Sequence, residues 1–275
     1  MKPVFKRIIT GIILAGLFAL FLWLHGWYIV GLFVVLALGI QYEMIKTIKS
    51  NNIKPVSAIL YVFTALLMPV YYFYGLAGVF IWQMVSVVLI FVAGIVFKTY
   101  NFESIFSSVF CLYYPQLFFV FLYIIFFLKT PDGVIDVSLS RLIILVAFAC
   151  SCGTDIFAYI FGSLFGKTPL CPHISPKKTV EGSLGGLVGG ILCVQIVALI
   201  FDQGRVHLIE YAIFAFLLSV LAQIGDLAAS MIKRRFNVKD FGSIFPGHGG
   251  ILDRLDSTLF ILPIVYMFYK FYLNL

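Results

Sequence analysis

The sequence predicts an all-α polytopic membrane protein with about nine transmembrane helices, the N-terminus in the cytoplasm and the C-terminus outside. Three observations carry that prediction. Of the 275 residues, 62% are hydrophobic and only 11% are charged, where a soluble domain has about 45–50% apolar and about 25% charged residues. Apolar runs of membrane-spanning length recur along the whole chain, whose mean hydropathy is +1.08. The basic residues between those runs gather on one side. A soluble core of this size cannot hide so much apolar surface, which excludes a soluble globular enzyme, a disordered chain and a nucleic-acid binder.

A transmembrane helix needs roughly 17–25 predominantly apolar residues. The runs lie near 8–24, 27–42, 57–75, 78–97, 107–128, 141–163, 183–201, 208–229 and 257–273. The second is short and joined to the first by His25 and Gly26, as in a tight hairpin. Lys2, Lys6 and Arg7 resemble the basic region of a signal peptide. No small-residue cleavage site follows, however, and the run continues through Trp23 and Leu24, so an uncleaved first span is expected. No segment alternates like a barrel strand and no internal repeat stands out. A single integral membrane domain, 1–275, is expected.

The charges test the span count independently. With Lys2, Lys6 and Arg7 inside, alternating the sides places 15 of the 19 Lys and Arg residues in cytoplasmic segments. Only Lys129, Arg141, Arg205 and Lys270 fall outside. That bias is what the positive-inside rule requires, and one miscounted helix in the middle would scramble it. The net charge of +7 therefore reads first as cytoplasmic loops. The five cysteines, at 111, 150, 152, 171 and 193, lie in mostly apolar surroundings without regular spacing. They read as small apolar residues, not as a disulfide frame or a zinc site.

Charge is concentrated at one place. Nine of the 31 formally charged side chains fall between 226 and 256. Asp226 lies inside the apolar pattern of the eighth run, where an ionised carboxylate is expensive unless paired or metal-bound. Asp253 and Asp256 are three apart and share a face if helical. Asp226, Ser230, Lys233 and Arg234 fall on one helical stripe, with Arg235 off it. By the span count, all three aspartates lie at the cytoplasmic membrane boundary. Hard oxygen ligands select Mg²⁺, which commonly binds through one or two carboxylates plus substrate phosphates. Lys and Arg then neutralise the remaining phosphate oxygens. The intervening stretch from Phe245 through His248, Gly249 and Gly250 cannot be regular helix, and Gly-rich backbone of this kind can turn several N–H groups toward an anion. Each residue alone reads as a plain turn or cap; acids, cations and glycines at one depth read together as a phosphate and metal site.

A second polar patch surrounds the sixth run and the loop after it. Asp155 and Tyr159 lie four apart inside a hydrophobic stretch, and an intramembrane Asp is a functional hypothesis by default. Its alternative is a pairing with a neighbouring helix. The loop contains Pro169, Pro172 and Pro176, which push the preceding residues toward extended geometry and stiffen it. It presents Ser175, Lys177, Lys178 and Thr179 on the cytoplasmic side. His173 and His248 have no partners at metal-ligand spacing, so zinc is not expected.

These residues carry a resemblance. Ser230, Lys233 and Arg234, then Lys239, Asp240 and Gly242, then Pro246, His248, Gly249, Gly250, Asp253, Arg254 and Asp256 resemble the signature of the phosphatidate cytidylyltransferases, without departure over 230–256. The stretch from Asp155 and Tyr159 through Ser175, Lys177, Lys178, Thr179, Glu181 and Gly182 is similar to the same family. Residues 1–140 match only as apolar helices, whereas 141–275 carry the catalytic helices and cytoplasmic loops.

The resemblance implies conversion of CTP and phosphatidate to CDP-diacylglycerol and pyrophosphate, with Mg²⁺ required. It implies metal binding by Asp226, Asp253 and Asp256, Asp253 foremost, with Asp155 as a further metal or outer ligand. Lys233, Arg234, Lys239 and Arg254 are expected to neutralise the triphosphate and the leaving pyrophosphate. Ser175, Lys177, Lys178, Thr179 and Ser230, with His248, Gly249 and Gly250, are expected on nucleotide or lipid phosphate. The expected partners are CTP, phosphatidate, the bilayer and a second copy in a homodimer. Expected localisation is the bacterial inner membrane, since no long N-terminal extension is present.

Two rival readings make different predictions. A CTP-dependent kinase of a polyprenol-type lipid needs the same metal, triphosphate and boundary location, but attacks the γ rather than the α phosphorus. A cation-coupled transporter would use Asp155 and Asp226 as carriers, yet such sites usually lie near the bilayer midplane in repeated broken helices. Here the polar groups gather at one edge.

Overall fold

Where apolar runs must satisfy their own backbone, helix follows. The computed structural model describes residues 3–24, 26–128, 135–202, 204, 207–245 and 249–272. Helices α1 (Pro3–Leu24), α2 (Gly26–Lys49) and α3 (Ser57–Val96) lead into α4 (Phe102–Cys111), a π-helical turn (Leu112–Leu117) and α5 (Phe118–Phe126). Next come α6 (Val137–Phe165), strands β1 (Pro169–Cys171) and β2 (Ser175–Thr179), then α7 (Val180–Phe201), α8 (Leu208–Arg235) and α9 (Leu252–Tyr272).

Polar residues mark several starts. Asn101 caps α4 by accepting the Ser104 N–H at 2.9 Å, and Asp136 caps α6 by accepting that of Leu139 at 2.9 Å. Each satisfies one of the donors that a helix N-terminus leaves orphaned.

Six described stretches are long and apolar enough to cross a membrane: 26–49, 57–96, 102–126, 137–165, 180–201 and 208–235. The fold is thus that of an integral membrane protein built from helices. Many large apolar side chains on them face outward, among them Phe73, Ile95 and Ile209. In lipid such exposure carries no hydrophobic cost. The predicted runs 57–75 and 78–97 both lie in α3, which is interrupted at Gly75, where φ is +62° and ψ −156°. Glycine enters that region without steric penalty. α1 and α9, of 22 and 21 residues, cover the first and last predicted runs.

The chain divides into two compact units. The first comprises residues 1–124 with 235–254, the second 125–234 with 255–275, so α9 begins in one and continues in the other. In the first, Phe33 of α2 meets Phe119 and Tyr123 of α5 edge to face at 6.3 and 6.2 Å between ring centres. The buried Gln116 side chain donates to the Ala37 carbonyl at 3.0 Å.

In the second unit, α6 and α7 pack backbone to backbone. A Cβ at Gly186 would lie 2.9 Å from the Thr154 carbonyl oxygen, and one at Gly190 would overlap the Ser219 and Thr154 hydroxyls. Small residues that permit such approach are the usual means of helix association in lipid. The stack of Phe214 on Phe268, at 3.8 Å, and the 2.8 Å hydrogen bond between Tyr211 and Tyr269 join α8 to α9.

The proline-stiffened loop is more ordered than expected from its sequence. It folds as an antiparallel hairpin with Pro169 opposite Thr179 and Cys171 opposite Ser175. Glu181 anchors its base by accepting the backbone N–H groups of Lys167 and Thr168 at 3.1 and 3.2 Å. All five cysteines are free thiols.

Candidate active site

In the second unit, four elements bring charge to one place. Asp226 of α8 forms an ion pair with Lys178 of β2. Asp256, on the first turns of α9 and only 5% exposed, lies 3.8 Å from the ammonium of Lys233, which projects from the C-terminal end of α8. Its carboxylate also feels the negative charges of Asp226 and Asp155. Asp155 of α6 accepts the Ser257 hydroxyl at 3.1 Å. Ser257 in turn contacts Ser151 at 2.9 Å, and Thr258 donates to Ser151 at 2.9 Å. Three carboxylates that repel one another are thus held together by two lysines and a chain of hydroxyls. Like charges at short range favour any cation placed among them.

Beside this cluster opens a cavity of about 450 Å³, walled by α6, the hairpin, α7 and α8. Asp155, Tyr159, Lys177, Lys178, Thr179, Ser183, Gln223 and Asp226 line it, with Ala158, Gly162 and Leu170 among its less polar wall. A lining that mixes anionic, cationic and apolar groups suits a ligand that is part phosphate and part hydrocarbon.

The first unit holds Asp253, buried to 9% exposure. Its Oδ2 accepts the backbone N–H groups of Phe241 and Gly250, both at 2.9 Å. The aspartate expected foremost as a metal ligand therefore also ties the signature loop to the start of α9. Arg254 and Lys239 are exposed, and Gly249 adopts φ of +85°. Gly250 is buried. His248 lies outside the described residues, as do Pro246 and Gly247.

The remaining predicted residues fall in the second unit. Ser230 is buried in α8. Arg234 reaches back to the hairpin turn, its Nε donating to the Ile174 carbonyl at 3.3 Å. Lys177 is exposed and Ser175 half-buried on β2. Thr179 caps α7, its hydroxyl oxygen accepting the Gly182 N–H at 3.1 Å.

The structure adds residues that pattern reading missed. Gln223 lies one helical turn before Asp226 and is fixed by Ser183: the Ser183 hydroxyl donates to its Oε1, and its Nε2 donates to the Ser183 carbonyl at 3.2 Å. The position i−3 from an intramembrane Asp was the available signal. Ser257 follows Asp256 directly and had no signal of its own.

Among the described residues, no group of three or more His, Cys, Asp or Glu side chains is placed to hold a metal ion. Asp226 and Asp256 offer carboxylate oxygens, the hard donors that suit a hard cation. Mg²⁺ commonly takes one or two carboxylates and completes its sphere with water and phosphate oxygens.

Comparison with known proteins places the chain. Residues 5–272 match the model of the cytidylyltransferase family. A phosphatidate cytidylyltransferase of Staphylococcus saprophyticus is 51% identical over 122 residues, 44% of this chain and 46% of that protein. One from Synechocystis is 49% identical over 127 residues, 46% of this chain and 43% of that protein. The one from Aquifex aeolicus is 36% identical over 205 residues, 74% of this chain and 70% of that protein. The match thus spans about half the length of the first two relatives and over two thirds of the third. With its family match running almost from end to end, the chain belongs to the cytidylyltransferase family.

Proposed function

We propose that this protein transfers the cytidylyl group of CTP to phosphatidate, giving CDP-diacylglycerol and pyrophosphate at the cytoplasmic boundary of a bacterial inner membrane. The observation that carries the reading is the charge cluster of the second unit, Asp226 with Lys178 and Asp256 with Lys233, beside a cavity among apolar helices. A water-borne triphosphate and a lipid phosphate meet only at such a boundary. The family match and the names of the bacterial relatives support the same reaction.

The topology proposed with it has nine crossings, with α3 counted twice at Gly75, the N-terminus inside and the C-terminus outside. The sorting of basic residues to one side supports it.

In the reaction, a phosphate oxygen of phosphatidate forms a bond to the α-phosphorus of CTP. The bond from that phosphorus to the oxygen bridging to the β-phosphate breaks, and pyrophosphate leaves with the electron pair. Little covalent work falls to the protein, so positioning and charge neutralisation supply most of the rate. Lys178 and Lys233 exchange their carboxylate partners for phosphate oxygens. Arg234, Lys239 and Arg254 add positive charge for the triphosphate and the leaving group. Ser257 orients Asp155.

In the second unit, Asp226 and Asp256 would hold Mg²⁺, with Asp155 as a further ligand, and the bound ion would withdraw charge from phosphate oxygens; Asp253 is proposed as the active-site carboxylate of the first unit. Detergent-purified protein given Mg²⁺, phosphatidate and CTP labelled at the α-phosphate should place the label in lipid and release pyrophosphate. Label reaching lipid only from the γ position would make it a lipid kinase instead, and no substrate-dependent turnover would sink the reading.

A further inference from the structure

Glu43 is a completely buried carboxyl group on α2, in the half of the chain that bears no signature residue. Its Oε1 accepts the backbone N–H of Ile251 and its Oε2 that of Leu252, both at 2.9 Å. Leu252 is the first residue of α9 and Ile251 the one before it, where a helix leaves N-terminal donors that would otherwise go unpaired. Hydrogen bonds to a carboxylate at a helix N-terminus are short and strong, and the helix dipole favours the charge there. Lys46 attracts the group and Asp253 repels it.

The contact extends along one stripe of α2. Four residues before Glu43, a Cβ at Gly39 would overlap the Ile251 side chain, and four residues after it the Thr47 hydroxyl donates to the Phe241 carbonyl at 3.4 Å. From the other side, Gly242 and Gly250 press so closely on Glu43 that a Cβ on either would overlap its carboxylate. Positions 39, 43 and 47 thus form a seat for the signature loop, with both carboxylate oxygens at its centre. Asp253 then closes the same loop from within, through Phe241 and Gly250.

We propose that Glu43 is a positioning residue for the cytidylyl transfer: it fixes the backbone at 250–252 and thereby aims Asp253. The inference rests on the reading of Asp253 as an active-site group. Its role is geometric, since Glu43 need not touch either substrate.

The test uses full-length protein in detergent with CTP, phosphatidate and Mg²⁺. In E43Q the shape is kept, but an NH₂ group replaces one acceptor and faces a backbone N–H. It should lower kcat about 10- to 100-fold, the cost of a small misplacement at a reacting centre. KM for both substrates should stay within about threefold, because only transition-state contacts are lost. Amide exchange should speed up at 249–253 and little elsewhere, with the thermal midpoint lowered only by the modest cost of one lost buried hydrogen bond.

E43D, too short to reach both N–H groups, should show the same pattern and serves if E43Q does not fold. Unchanged kcat with protected amides would overturn the proposal. So would a global loss of protection or failure of both variants to fold, since Glu43 would then serve the whole fold. An inactive wild type would instead remove the assigned reaction, and the exchange pattern would still decide whether Glu43 holds the loop.

Discussion

The two units neutralise their buried carboxylates in opposite ways. In the second, Asp226 and Asp256 face the ammonium groups of Lys178 and Lys233. In the first, Glu43 and Asp253 face four backbone N–H groups, all at 2.9 Å. The difference is one of exchangeability. An ammonium on a flexible four-carbon stem can leave a carboxylate for a phosphate and yield its place to another cation. A backbone amide in a folded loop cannot. The ion pairs of the second unit can therefore trade partners, whereas the first unit holds a loop in one shape.

The largest effects should come from the exchangeable side. Asp256→Asn keeps an oxygen for the Ser257 N–H, which now donates to Asp256 at 2.8 Å, so the fold should survive. Removing the charge should nonetheless cut kcat about 10²- to 10³-fold, the scale seen when one charge-stabilising group is lost from an active site. Thermal unfolding and product formation, measured on the same preparation, check both halves. Asp253→Asn should lose nearly all CDP-diacylglycerol formation while still folding; full turnover would remove Asp253 from the mechanism. Stripping divalent ions with a chelator should abolish turnover, and added Mg²⁺ should restore it.

A smaller effect is expected at the lysine partner. Lys178→Ala removes the cation now held by Asp226. It should raise KM for a phosphorylated substrate about tenfold, the worth of one charge-assisted hydrogen bond. Replacing Lys177 as well should raise it further, since both side chains line the cavity. Unchanged kinetics in the double variant would return these lysines to a purely topological role.

How much of this could be read beforehand follows from what each feature depends on. Apolar runs announce helices because lipid leaves the backbone no alternative, and each predicted run falls largely on a helix. Asp226, Asp256, Lys178 and Lys233 could be singled out because charge is rare in this chain, and the structure brings them to one cluster. Glu43 stayed hidden at the end of an apolar run, one acid among loop-side lysines, because its partners are backbone groups more than 200 positions away. Backbone partners leave no mark in a sequence pattern. The sequence of the hairpin shows only a stiff loop for a related reason: its strands of three and five residues are too short for a period to show.

Thr179 gives the finest test of the contrast, since it belongs to both kinds of chemistry at once. Thr179 lines the cavity with the two lysines, yet its hydroxyl oxygen caps α7 through the Gly182 N–H. Thr179→Ala deletes the cap and should cost about 1 kcal/mol of stability, visible as a lower thermal midpoint in detergent. Thr179→Ser keeps both the cap and the hydroxyl and should match the wild type. If capping is the whole role, kcat and KM of the alanine variant should stay within about twofold of wild type, because loss of a helix cap acts on stability. A rise in KM for CTP or phosphatidate that serine rescues would instead assign the hydroxyl to substrate, and would show that a group held by backbone can also serve the exchangeable side.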